Sequence, residues 1–190
     1  SAPHAEHAHR LEAASDCVDR AIEAWRDQFA RVWDRLPLRV GVVAFPRMMP
    51  FQAVIEAARN IEDDLYGMIK PETWQVEECE TRDGFIALCI KSLDHRHELL
   101  QTIPIRLPDG REDVFYPYLA VEDKQVRFPL DFQHPDGQVF RHAKDMRGGD
   151  RVLVHPSLIS TIFMDDTAKR FEPLSPRQLT EWLQMRDLWR

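Results

Sequence analysis

The run Leu38-Arg39-Val40-Gly41-Val42-Val43-Ala44-Phe45 constrains this chain more than any other stretch. An apolar run of that length, rich in β-branched valine and broken only by Arg39, predicts a strand covered on both faces and central in a sheet. Gly41 inside it permits close approach by a neighbouring helix or a ligand. Pro46 and Pro50 then bracket Arg47-Met48-Met49, and a helix is expected from about Phe51. Its apolar positions are Val54, Ile55, Ala58, Ile61 and Leu65, with Gly67 as its stop. Arg47 is the one candidate nucleotide-binding residue. It sits between a buried strand and a helix start, where backbone N–H groups and a cation can meet a phosphate.

Ahead of the strand, Leu11, Ala14, Val18, Ile22, Trp25, Phe29, Val32 and Leu36 recur in steps of three and four. They predict one long amphipathic helix over 10–36, widened by Trp33 and stopped by Pro37. Residues 1–8 read as a loose terminus, so His4, His7 and His9 have no fixed geometry for a metal.

Beyond Gly67 the texture becomes β-rich. Trp74 to Cys79 and Phe85 to Ile90, joined through Asp83-Gly84, form one expected hairpin. Ile103 to Leu107 with Val114 to Val121 form a second, and Val126 to Phe132 with Val139 to His142 a third. A short polar helix is expected over Ser92 to Leu100. Strands are expected at Val152 to Val154 and Leu158 to Met164, then a closing helix from about Ser175. The expected class is α+β: a segment 1–67 of helix, strand and helix, then a β-rich region 68–190 closed by a C-terminal helix.

Hydrophobic residues at 44% and charged residues at 30% fit an ordered globular chain. The formal net charge of −7 gives no overall pull on nucleic acid, so RNA contact would need a local patch or a partner. No apolar run approaches the roughly 20 residues of a membrane span, so no membrane is expected. The three cysteines show no Cys-x-x-Cys spacing, which favours a reducing cytoplasm. A first residue other than Met, with only 7 glycines, suggests a piece of a longer protein.

Three clusters invite a chemical reading. In Asp94-His95-Arg96-His97-Glu98 a helix would splay the two imidazoles, and a solvated polar segment is favoured over a metal site. Gly148-Gly149-Asp150 is part of a Gly-Gly-Asp-Asp turn, but Arg151 follows, and a tight turn feeding a strand accounts for the glycines. Asp165-Asp166 lies close to Lys169 and Arg170, which fits ordinary ion pairs. No catalytic residue and no metal ligand is assigned.

The order of helix 10–36, the valine-rich strand, Pro46-Arg47-Met48-Met49-Pro50 and Ala53-Val54-Ile55-Glu56-Ala57-Ala58-Arg59 resembles the large subunit of type III CRISPR effector complexes. Asp113-Val114-Phe115-Tyr116-Pro117-Tyr118-Leu119, Gly149-Asp150-Arg151-Val152 and the stretch from Pro156-Ser157 through Asp165-Asp166-Thr167-Ala168-Lys169-Arg170-Phe171-Glu172 are similar to the C-terminal part of a divergent Csx-type member. The resemblance implies a partial ferredoxin-like palm whose acid-bearing hairpin would precede Ser1. It also implies partners among the other effector subunits and guide or target RNA. ATP and a divalent metal would belong to the parent protein, with no cofactor in this fragment, and the fragment would be inactive alone even if the parent is a cyclic oligoadenylate synthase. A strand cut from its sheet neighbours would pair with another copy or with the β-rich region. The alternative is an independent, non-catalytic ligand- or protein-binding β-module. A metal hydrolase built on His95, His97 and Asp165 is weaker again.

Overall fold

The computed structural model describes residues 3–67, 70–164 and 177–178. The elements run α1 (Pro3–Gln28), β1 (Arg39–Ala44), α2 (Phe51–Gly67), β2 (Glu72–Arg82), β3 (Phe85–Ser92), β4 (Glu98–Pro104), β5 (Tyr118–Val121), β6 (Phe132–Gln133), β7 (Val139–His142), β8 (Arg151–Val154), β9 (Leu158–Phe163) and β10 (Arg177–Gln178). The class is α+β; the described residues form two α-helices, a curled antiparallel sheet ordered β4-β3-β2-β8-β5-β7-β6 and a smaller sheet ordered β1-β9-β10.

The valine-rich run is indeed a strand covered on both faces. Against one face α2 packs Val54, Ala57, Ile61 and Leu65 with Val43, Leu158 and Ile162. Against the other, α1 packs Val18 and Ile22 with Val40, Val42 and Ile159. The strand is not central, however. β1 pairs in parallel with β9, Arg39 opposite Leu158 through Ala44 opposite Phe163, and among the described residues it ends its sheet. An apolar run reports how its faces are covered; it says nothing of how many strands bond to its edges. Gly41 has the expected use, since a Cβ there would lie 3.1 Å from Ile61 Cγ2 of α2.

α1 begins at Pro3, inside the expected loose terminus, and stops at Gln28 rather than Leu36. Residues 29–36 continue as turns, with Val32 N–H bonded to the Phe29 carbonyl and Leu36 N–H to the Val32 carbonyl. Successive turns keep a spacing close to helical, which is why the stripe misleads. Phe29 and Leu36 end up exposed, whereas Trp33 is buried. Trp33 joins Trp74, Val76, Leu88 and Val152 in the core of the large sheet.

The first expected hairpin is β2 and β3, with Ile86, Leu88 and Ile90 buried in strict alternation. The third survives in short form as β6 and β7. The second does not form as a ladder. β4 pairs with β3, while β5 pairs with β7 and β8, leaving one bridge between Arg106 and Glu112. Nor is 92–100 helical. Asp94 accepts the Ser92 hydroxyl at 2.6 Å and the Arg96 N–H at 3.1 Å, folding a tight turn in place of a helix. Of the expected C-terminal helix, Arg177 and Gln178 form a strand opposite Ile159 and Leu158, and the rest lies outside the described residues. The small sheet therefore takes β1 from before residue 67 and β9 and β10 from after it. Among the described residues no helix is long and apolar enough to cross a membrane.

Candidate functional site

The outer edge of β1 is built by the parity of its hydrogen bonds. Leu158 N–H bonds the Leu38 carbonyl at 3.0 Å and Met164 N–H the Ala44 carbonyl at 2.7 Å. In an evenly spaced parallel ladder the even-numbered residues of β1 thus face β9. The N–H and C=O groups of Arg39, Gly41 and Val43 face the other way, where no strand pairs among the described residues. A cleft of about 350 Å³ opens there, lined by those three residues and by Ala58, Ile61 and Glu62 of α2. The Arg39 guanidinium lies 5.3 Å over the Tyr66 ring.

Large apolar side chains flank this edge in water. Phe45 is 46% exposed, Met48 90%, Phe51 71% and Tyr66 70%. Arg47 lies in the exposed turn between β1 and α2, with no ion pair to any described residue. The sequence stripe missed the role of α2's outer side. Val54, Ala57, Ile61 and Leu65 form the buried face, whereas Ala58 turns outward and Ile55 is half-buried. Phe51 and Tyr66 fall off that face, and an aromatic residue off the stripe was the available signal.

The other sequence clusters have structural partners. His97 lies beside Trp74, ring centroids 6.5 Å apart, and His95 holds a positive φ of 57° in its turn. Asp150 places one carboxylate oxygen 3.0 Å from Arg141 Nη1, while the other accepts the Arg147 N–H. Gly149, with φ of 90°, donates its N–H to the Val76 carbonyl where β2 bulges. The turn reading of Gly148-Gly149-Asp150 is therefore the right one. Asp165, Asp166, Lys169 and Arg170 lie outside the described residues, as do the side chains of His4, His7 and His9.

Sequence reasoning overlooked three buried acids. Arg141 is 1% exposed and meets Asp131 at 3.3 Å and Asp150 at 3.0 Å, with the Phe128 ring 5.0 Å beneath it. Asp113, fully buried, sits 2.8 Å from Arg31 Nε and accepts the N–H groups of Phe115 and Tyr116. Asp34 is 1% exposed, and burial pushes its carboxyl up to about 6, opposed by Arg35 and by backbone N–H groups. Arg35 also binds the Tyr116 and Tyr118 carbonyls, stitching the 29–36 turns to β5. Each of these acids lies beside an arginine, Asp131 by Arg141, Asp113 by Arg31 and Asp34 by Arg35.

Compared with known proteins, the chain matches no family model, no curated protein and no solved structure.

Proposed function

We propose that this chain is the C-terminal part of the large subunit of a type III CRISPR RNA-guided effector complex. Its role is scaffolding in antiviral defence, with the acid-bearing palm strands supplied from elsewhere in the parent. The observation that carries this reading is the open edge of β1, with Phe45, Met48, Phe51 and Tyr66 exposed around it. An edge strand bordered by apolar surface is a liability in a chain that works alone and an asset in an assembly. In the palm reading, the bonding groups of Arg39, Gly41 and Val43 accept a neighbouring palm strand. Arg47, beside that strand at the start of α2, is the residue positioned to meet a nucleotide phosphate in the parent, which would supply ATP and divalent metal. Contacts to guide or target RNA run through the complex, since the chain itself is acidic.

A second reading, an independent binding module without catalysis, draws on the Arg141 cluster and the closed core of the large sheet. One experiment separates the two. The chain is co-expressed with the remaining subunits and guide RNA of a type III complex, and the mass of the purified assembly is measured. Stoichiometric incorporation, lost in Phe51→Ser/Tyr66→Ser, supports the first reading; a chain that stays free at micromolar concentration rejects it.

A further inference from the structure

A second cleft lies where α1, the 29–36 turns, β2, β4 and the β8–β9 connection meet. Its volume is about 40 Å³, and Trp25, Trp33 and Trp74 wall it. Arg26, Gln101 and His155 share the lining, and no aspartate or glutamate does. In a chain of net charge −7, a cleft with cationic and amide groups and no carboxylate is a local reversal of sign.

His155 Nδ1 lies 3.3 Å from the Asp34 carbonyl, whereas other polar groups of the lining are poorly satisfied. Trp74 is 3% exposed, and its indole N–H has no acceptor. Gln101 is 6% exposed, and its amide nitrogen has only a 3.5 Å contact with the Thr102 carbonyl. Arg26 has no ion pair to a described residue, and burial draws its pKa below the usual guanidinium value, with Glu23 opposing. A partly buried guanidinium lining the same cleft as a buried orphan indole donor is stabilised by an acceptor carrying negative charge. The space admits a group a little larger than one water. In a volume of about 40 Å³ a planar, two-oxygen acceptor is accommodated better than the bulkier tetrahedral phosphate.

We propose that this cleft binds a carboxylate group, with Arg26 as counter-ion and the Trp74 N–H and Gln101 amide as donors. A small free acid and an acidic side chain on a peptide present the same chemistry.

The test uses the whole chain and its tryptophan fluorescence, checked by calorimetry. Acetate, a short alanine peptide with one central glutamate, inorganic phosphate and chloride are titrated at constant ionic strength. The expected result is a saturating response to acetate or to the peptide, at least about tenfold tighter than to phosphate or chloride. Arg26→Gln should weaken it about tenfold, and Trp74→Phe, which keeps the ring and removes the donor, about threefold. Tighter binding of the peptide assigns the source to a partner's acidic side chain; tighter binding of acetate assigns it to a free acid. The proposal is overturned if phosphate or chloride matches acetate. It is equally overturned if both variants, folded by circular dichroism, titrate like the parent chain.

Discussion

At β7 the large sheet meets a buried charge from within the fold, whereas at β1 the small sheet turns bonding groups outward. Around β7, the charge of Arg141 is met by Asp131 and Asp150 and covered by Phe128. Around β1, the groups of Arg39, Gly41 and Val43 meet no strand among the described residues, with Met48 and Phe51 beside them in water. The same chain thus contains a buried charge met by acids from within the fold and an edge whose bonding groups meet no strand among the described residues. Stability is expected to reside in the first and recognition in the second.

The strongest way to break this contrast is Arg141→Met. It leaves Asp131, whose side chain is fully buried, without its counter-charge. The expected loss is about 3–5 kcal/mol of unfolding free energy by urea titration. A loss below about 1 kcal/mol would show that the cluster does not anchor the large sheet.

Next comes Asp34, in the turns that join the two regions. Its carboxyl titrates at about 6 in the fold, against 3.8 for an unperturbed aspartate. Below 3.8 both folded and unfolded chains hold the proton, and there is no penalty. Between 3.8 and about 6 the unfolded chain ionises while the fold keeps the proton, so the penalty builds across that range to about 3 kcal/mol near neutrality. Asp34→Asn should therefore gain on the parent chain by about 2–3 kcal/mol between pH 4 and pH 7, read from urea midpoints at the two values. An offset that is the same at both would refute the assignment.

Gly41→Val sharpens the other side of the contrast, because its first carbon already meets Ile61 at 3.1 Å. Crowding β1 against α2 should lower stability by about 1–3 kcal/mol, measured by thermal unfolding. The smallest stability effect belongs to Phe51→Ser at an exposed position. It should stay within about 0.5 kcal/mol of the parent while, on the proposed effector reading, reducing incorporation into that assembly, measured by subunit stoichiometry. A variant that unfolds would place Phe51 in the core instead.

Much of the fold was legible in particular residues. The alternation of Ile86, Leu88 and Ile90 and the Asp83-Gly84 turn give the first hairpin, and Gly41 announces a close helix. What escaped was long-range. Nothing local tells β1 that its partner is Leu158–Phe163, more than a hundred residues on, or sends β4 to β3 and β5 to β7. Arg141 reads as a surface cation in Val-Phe-Arg-His until Asp131 and Asp150 are brought to it by the curl of the sheet. The candidate site was half visible: the strand, the turn with Arg47 and the helix were readable, but a run of valines cannot disclose which edge is bare.

Amide hydrogen exchange on β1 tests the central claim most directly. In the dilute isolated chain, Gly41 and Val43 N–H should exchange at least about a hundredfold faster than Val42 and Ala44, and on the proposed effector reading should become protected once those subunits are added. If Gly41 and Val43 are as protected as Ile86 to Ile90 at every dilution of the isolated chain, the edge is already filled, and the reading of β1 as an open edge is wrong.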